Sequence, residues 1–152
     1  MNFRKRGITL VSTLIMLVVI TLLAGTITIS TNYIIEDTYK KEFMREYKLV
    51  EATTKDYIMR NSGVVNFTEA TLDISNINEE YKKQFDGEKV VDNKIDIYVI
   101  DLEKIGVENA TYGIKTGGDE DDIYVLAKET NTIYYKKGFV NDNKVYYKAI
   151  NE

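Results

Sequence analysis

The sequence predicts an α+β fold in which a long N-terminal helix, transmembrane in its first part and amphipathic in its second, packs on a small antiparallel sheet. Three observations lead to this class. A run without any charged side chain extends from Ile8 to Ile35. Apolar residues then recur three and four positions apart as far as Tyr57. The C-terminal half carries short segments rich in β-branched and aromatic residues. The first two patterns are typical of helix and the third is typical of strands.

The uncharged run is long enough for a membrane-spanning helix. From Ile8 to Ile29 it consists mostly of Leu, Ile, Val and Thr, and at 1.5 Å per residue it makes a helix of about 33 Å. The hydrocarbon core of a bilayer is about 30 Å thick. Arg4, Lys5 and Arg6 precede the run, and such charges favour the cytoplasmic side. We therefore expect a single-pass protein of the cell membrane, with a cytoplasmic N-terminus and an extracytoplasmic C-terminus.

The junction between the basic residues and the apolar run resembles a known processing signal. Residues 4–11, Arg-Lys-Arg-Gly-Ile-Thr-Leu-Val, are similar to the class III signal of type IV pilins and pseudopilins. In that family a prepilin peptidase cuts after the glycine, and the new N-terminal residue is methylated. By position, the resemblance implies cleavage after Gly7 and methylation of Ile8. The resemblance is specific in sequence over residues 4–29. Over the rest of the chain it extends only to the predicted arrangement of helix and strands.

The resemblance also implies a fold, a function and partners. It implies a leader at 1–7, a transmembrane and assembly helix at 8–30, and an extracytoplasmic domain with the pilin-like roll at 31–152. The chain is then a structural subunit of a type IV pilus-like or type II secretion-like filament at the cell surface. Its partners are other pilin-like subunits through the helix of residues 8–35, the prepilin peptidase and membrane lipid. Ser12 replaces the usual glutamate, which implies a minor subunit.

Three other interpretations are open on the sequence alone. An uncleaved signal-anchor would give a single-pass membrane-anchored extracellular binding domain that does not polymerise. A cleaved secretory signal would have an apolar region of about 7–15 residues, which is shorter than this run. A carboxylate-only surface enzyme is the third, although no paired-acid motif stands out in the sequence.

The amino-acid composition excludes several kinds of catalytic and binding chemistry. Histidine and cysteine are absent, which excludes the commonest general base, thiol nucleophiles and most zinc sites. We therefore expect no enzymatic activity. Without Arg4, Lys5 and Arg6 the 20 basic residues become 17 against 24 acidic ones, a net charge of −7. An acidic surface repels phosphate backbones, so nucleic-acid binding is not expected.

The remaining elements are predicted in order along the chain. An amphipathic helix presents one largely apolar face and ends near Gly63 as its C-terminal cap. Two turns of helix are predicted at 78–85. Strands are predicted at 95–100, 123–127, 132–135 and 144–150, the last three as an antiparallel meander. The predicted helical face consists of Ile35, Tyr39, Phe43, Tyr47, Val50, Thr54 and Tyr57.

Two groups of residues are candidates for binding. Asp119, Glu120, Asp121 and Asp122 follow a glycine pair and form either a calcium loop or a solvated turn, since Ca²⁺ takes about six to eight oxygen ligands. Apart from calcium, no cofactor is expected. The second group is two tyrosine pairs, 134–135 and 146–147. Adjacent strand residues face opposite sides, so one tyrosine of each pair should pack on the helix and the other face outward. The outward one is either a partner anchor or half of a cross-strand pair.

Overall fold

The computed structural model describes residues 3–149, with side chains described at 13–21 and 35–149. The chain forms two compact units, Met1–Tyr39 and Lys40–Glu152. Helix α1 covers Phe3–Arg60 and is followed by strands, a one-turn helix and two short 3-10 helices. The strands are β1 Thr68–Asp73, β2 Val90–Val91, β3 Lys94–Val99, β4 Tyr124–Ala127, β5 Ile133–Tyr135, β6 Phe139–Asn141 and β7 Lys144–Tyr146. The short helices are α2 Glu79–Lys82 and the 3-10 segments Lys83–Phe85 and Thr116–Gly118.

The predicted transmembrane helix requires correction. Where the structure describes side chains, it contains no helix that is long and apolar enough to cross a membrane. Apart from 13–21, the predicted transmembrane segment at residues 8–30 lies outside the residues whose side chains are described. Residues 35–60 carry charged side chains in every turn. The fold is a small α+β protein with a helix at 35–60 and antiparallel sheets, without a transmembrane helix among the residues whose side chains are described.

The second half of helix α1 buries most of its predicted face. Phe43, Tyr47, Val50 and Thr54 are buried, whereas Tyr57 is only partly so. The first three of these side chains provide one wall of the core of the second unit. At the N-terminal end of the predicted face, residues 35 and 39 are exposed. The predicted face is therefore correct from Phe43 onward.

The end of helix α1 differs by one residue from the prediction. Ser62 takes the left-handed conformation with φ of 56°, and its N–H donates to the Met59 carbonyl at 3.2 Å. The N–H of Gly63 donates to the Ile58 carbonyl at 2.8 Å. This pair of bonds is a Schellman motif, in which the first left-handed position is usually glycine. Here that position is occupied by Ser62, and Gly63 follows it.

The main sheet has five strands. Four of them follow the order β1-β3-β4-β5, and the fifth, β2, also pairs with β3. Every pairing is antiparallel. The hairpins β2–β3 and β6–β7 have two-residue loops, at 92–93 and 142–143. Both residues of each loop have positive φ, between 50° and 59°. That combination is the type I′ turn that matches the natural twist of paired strands.

Three strands were not predicted, and one predicted pairing is wrong. Strands β1, β2 and β6 lie in stretches that carry no clear strand pattern. The predicted meander stops at β5, because β7 pairs with β6 in a separate two-stranded sheet. One hydrogen bond does join the two regions, from the Tyr135 N–H to the Tyr147 carbonyl at 2.7 Å. The short helix predicted at 78–85 is present as α2 and the 3-10 turn that follows it.

Both faces of the main sheet are covered. Strand β4 shows this most clearly, since all four of its residues are buried. Tyr124 and Leu126 face the cluster that includes helix α1, whereas Val125 and Ala127 face a second cluster closed by Phe85. The sheet is therefore a central layer.

Candidate functional site

The first unit carries a helical segment whose described apolar side chains are exposed. Between residues 14 and 20 seven successive apolar side chains are each 46% to 65% exposed. At 3.6 residues per turn these seven positions cover every direction around the helix axis. A helix that is apolar all round is normally buried on all sides. The segment consists of Leu14, Ile15, Met16, Leu17, Val18, Val19 and Ile20.

The hydroxyl of Thr21, at the C-terminal end of this segment, is satisfied inside the helix. The Thr21 Oγ1 donates to the carbonyl of Val18 at 2.8 Å and lies 3.1 Å from that of Leu17. Such bonding to the preceding turn satisfies a threonine whose surroundings offer no other acceptor. The segment therefore presents methyl and methylene groups, and its described hydroxyl needs no outside partner.

The predicted processing site lies within the bounds of helix α1. Gly7 and Ile8 belong to Phe3–Arg60. Their side-chain surroundings, like those of Ser12, lie outside the residues whose side chains the structure describes. The cleavage and methylation assignment therefore rests on the sequence signal alone.

The acidic loop does not gather its four carboxylates around one point. Each acid has its own partner, and no group of three or more His, Cys, Asp or Glu able to hold a metal occurs in the described part of the chain. The loop is tied down by ion pairs to lysines on either side of it. These are Asp119–Lys137 at 2.8 Å, Glu120–Lys115 at 2.7 Å and Asp121–Lys136 at 2.9 Å.

Asp122 differs from the three other acids because it is buried, with 2% exposure. Its carboxylate accepts hydrogen bonds from the N–H of Gly113, the N–H of Thr116 and the Tyr135 hydroxyl, each at 2.7 Å. Burial alone would raise the pKa of Asp122, but the three hydrogen bonds outweigh burial and hold that pKa below its usual value. Asp122 is thus a structural anion, with most of its acceptor positions already occupied by hydrogen bonds.

A second carboxylate that accepts backbone hydrogen bonds, Glu46 on helix α1, was not among the predicted binding residues. Glu46 accepts hydrogen bonds from the backbone N–H groups of Thr111 at 2.8 Å and Tyr112 at 2.9 Å. The Tyr124 hydroxyl donates to it at 3.2 Å. These partners lie 65 to 78 positions away, so no local pattern could have identified them.

The tyrosines do not form the predicted outward-facing surface. Tyr134 and Tyr135 are both buried, each in the cluster on its own face of the sheet. Tyr146 and Tyr147 are half-buried and pack against the same two clusters in turn. The alternation of faces was predicted correctly. The prediction that one tyrosine of each pair faces outward was wrong, because Phe85 and its neighbours cover that face of the sheet. The sequence alone did not reveal this cover.

An open cleft of about 430 Å³ lies beside the acidic loop. Its lining includes Asp119, Asp121, Lys136 and Lys137. The hydrogen bond from Lys137 holds the pKa of Asp119 below its usual value. A general acid needs the opposite, a carboxyl group whose pKa is raised towards neutrality. The paired charges of this cleft therefore suit structure better than acid–base catalysis.

Comparison with known proteins identified no relative: no protein-family model, no curated protein and no solved structure matches the chain.

Proposed function

We propose that this chain is a structural subunit, a minor pilin or pseudopilin, of a cell-surface filament. A prepilin peptidase cuts it after Gly7, and the helix of residues 8–35 packs against other pilin-like subunits. The observation that carries the proposal is the apolar segment 14–20, which is exposed in every direction around its helix. The basic leader ending in glycine supports it independently.

The energetics favour burial of this segment against like helices. Complete burial of a Leu, Ile, Val or Met side chain contributes about 1.5–3 kcal/mol. The seven side chains are each about half exposed, so burial of the rest contributes on the order of 1 kcal/mol apiece. A single partner would cover one side only. Several neighbouring helices, as in a filament core, would cover all sides.

Processing is tested by mass spectrometry of the N-terminus, in cells that contain a prepilin peptidase. We expect a chain that begins with methylated Ile8. Gly7→Leu should abolish cleavage, because it places a bulky side chain where the basic leader ends in glycine. The matched control is Gly25→Leu, which places the same side chain in the apolar run and should be processed normally. An intact Met1 in the unaltered protein would contradict the proposal.

Assembly is tested at Leu17. Leu17→Asp places a carboxylate where every side should be apolar, and burying an unpaired charge costs several kcal/mol. The variant should be processed but lost from sheared filaments. Leu17→Met, which conserves volume and polarity, should assemble. Normal assembly of Leu17→Asp would rule out this packing.

The rival function is an anchored extracellular binding domain that remains a single copy. The chain lacks cysteine, so one introduced thiol is unique in it. In a filament, Leu17→Cys should give disulfide-linked dimers under mild oxidant, whereas exposed Lys55→Cys serves as the control. An uncleaved chain that gives no Leu17→Cys cross-link would favour the single-copy domain.

We also propose that the subunit is not an enzyme and works without a metal cofactor. The other three loop acids already form ion pairs with Lys115, Lys136 and Lys137. Calcium would have to displace these ion pairs. Thermal unfolding should therefore be unchanged in millimolar calcium, and a rise of several degrees there, absent with magnesium, would show a calcium site at 119–122.

A further inference from the structure

The segment 111–116, called the strap, is attached to the second unit by two carboxylates. Four of its backbone N–H groups donate to them, those of Thr111 and Tyr112 to Glu46 and those of Gly113 and Thr116 to Asp122. The distances lie between 2.7 and 2.9 Å. A fifth, Lys115 N–H, donates to the Asp122 carbonyl at 2.9 Å. The strap lies in no strand, so these bonds replace a sheet ladder.

The strap covers aromatic side chains. The ring of Tyr112 meets that of Phe43 edge-on, with centroids 5.3 Å apart. It makes similar contacts with Tyr135 at 5.9 Å and Phe139 at 5.8 Å. Phe43 and Phe139 stack on each other at 4.4 Å. Displacement of Tyr112 would therefore uncover an aromatic cluster that joins helix α1 to the sheets.

Both ends of the strap have residues suited to rotation. Asn109 precedes it with φ of 56°, and Gly117 and Gly118 follow it with φ of 67° and 81°. Asparagine and glycine adopt both left-handed and right-handed conformations at low cost. A Cβ added at either glycine would meet nothing within 4 Å, so the space around them is open.

We propose that the strap is a lid that opens as one unit, hinged at Asn109 and at Gly117–Gly118 and held shut by the carboxylates of Glu46 and Asp122. Opening removes Tyr112 from the aromatic cluster and leaves the sheets intact. Because Glu46 belongs to helix α1 and Asp122 precedes β4, closure joins these two elements through the strap. This inference stands apart from the proposed filament function.

Hydrogen exchange of the full chain tests the lid. In the unaltered protein, the amides of Thr111, Tyr112, Gly113 and Thr116 should exchange together, faster than those of β3 and β4. Glu46→Gln places an amide nitrogen against an N–H donor, so strap exchange should accelerate by about tenfold or more. Exchange in β3 and β4 should stay within about twofold. Glu51→Gln is the matched control, since Glu51 forms an ion pair with exposed Lys55 and accepts no bond from the strap.

Each of three results would overturn the lid. The first, which needs no variant, is that the strap amides of the unaltered protein exchange no faster than those of β3 and β4. The second is unchanged strap exchange in Glu46→Gln. The third is equal acceleration in the strap and the sheet of that variant, which would make Glu46 a determinant of global stability alone.

Discussion

Thr54 is fully buried on helix α1, and in the described part of the chain its hydroxyl has no hydrogen-bond partner. A buried polar group without a partner costs free energy. Thr54→Val keeps the shape and removes the hydroxyl, so we expect the free energy of unfolding in urea to rise by about 1 kcal/mol. Thr53→Val is the control, because the Thr53 hydroxyl already donates to the Leu49 carbonyl at 2.8 Å. A destabilised Thr54→Val would indicate that the hydroxyl has a partner after all.

The hydrogen bonds that Asp122 accepts should contribute to the free energy of unfolding. Asp122→Asn points an amide nitrogen at backbone donors and should cost about 1–3 kcal/mol of unfolding free energy. Asp121→Asn, which loses a single exposed ion pair, should cost at most about 1 kcal/mol. Equal losses in the two variants would contradict the anchoring role of Asp122.

The same carboxylate gives a pH dependence with a definite sign. Its pKa is lower in the folded protein than the value of about 3.9 in an unfolded chain. Its contribution is complete above that unfolded value and is lost as the pH falls through the lower folded one. As the pH is lowered below about 4, the urea concentration at the unfolding midpoint of the unaltered chain should therefore decrease. The decrease should be smaller in Asp122→Asn. Parallel pH profiles for both chains would contradict this assignment.

At the scale of elements, the side chain of Gln84 pairs with the segment that carries β7, which lies outside the main sheet. Its side-chain amide donates to the Val145 carbonyl at 2.7 Å and accepts from the Tyr147 N–H at 2.8 Å. The side chain thus pairs with β7 as a neighbouring strand would. Gln84→Met has similar volume and no polar atoms, so we expect faster amide exchange at Tyr147 and a loss of about 1–3 kcal/mol.

The control for this substitution is exposed Lys83→Met, which should affect neither measurement. Unchanged exchange at Tyr147 in Gln84→Met would show that the bond between Tyr135 and Tyr147 is sufficient to hold this segment.

The sequence predicted those elements whose pattern is local. Strands β3, β4 and β5 carry dense apolar and aromatic residues, and the helical face from Phe43 to Thr54 has the correct period. Strand β1 was missed because Thr-Glu-Ala-Thr-Leu-Asp has one large apolar residue, Leu72, and is held by its pairing with β3. Glu46 and Asp122 could not be recognised as anchors, since their backbone donors belong to a loop that folding brings to them.

At the scale of the whole molecule, the second unit should fold without the first. Among the residues whose side chains are described, the core clusters draw on those from Phe43 onward. A chain that begins at Lys40 should therefore unfold cooperatively, within a few degrees of the full-length protein. Failure of this shorter chain to fold would show that residues 1–39 contribute to the core. Removing residues 1–20 serves as the control.

The two type I′ hairpins have a consequence for the order of folding. Their loops close over two residues, and isolated hairpins form in about 1–10 μs. Helix α1 and its partner strands must instead find each other across many tens of residues, a slower search. We expect β2–β3 and β6–β7 to form first and to limit the arrangements that remain. Because the chain has no cysteine and no proline, neither disulfide formation nor prolyl isomerisation slows the later folding steps. Stopped-flow refolding should therefore show one fast phase, independent of oxidant and prolyl isomerase.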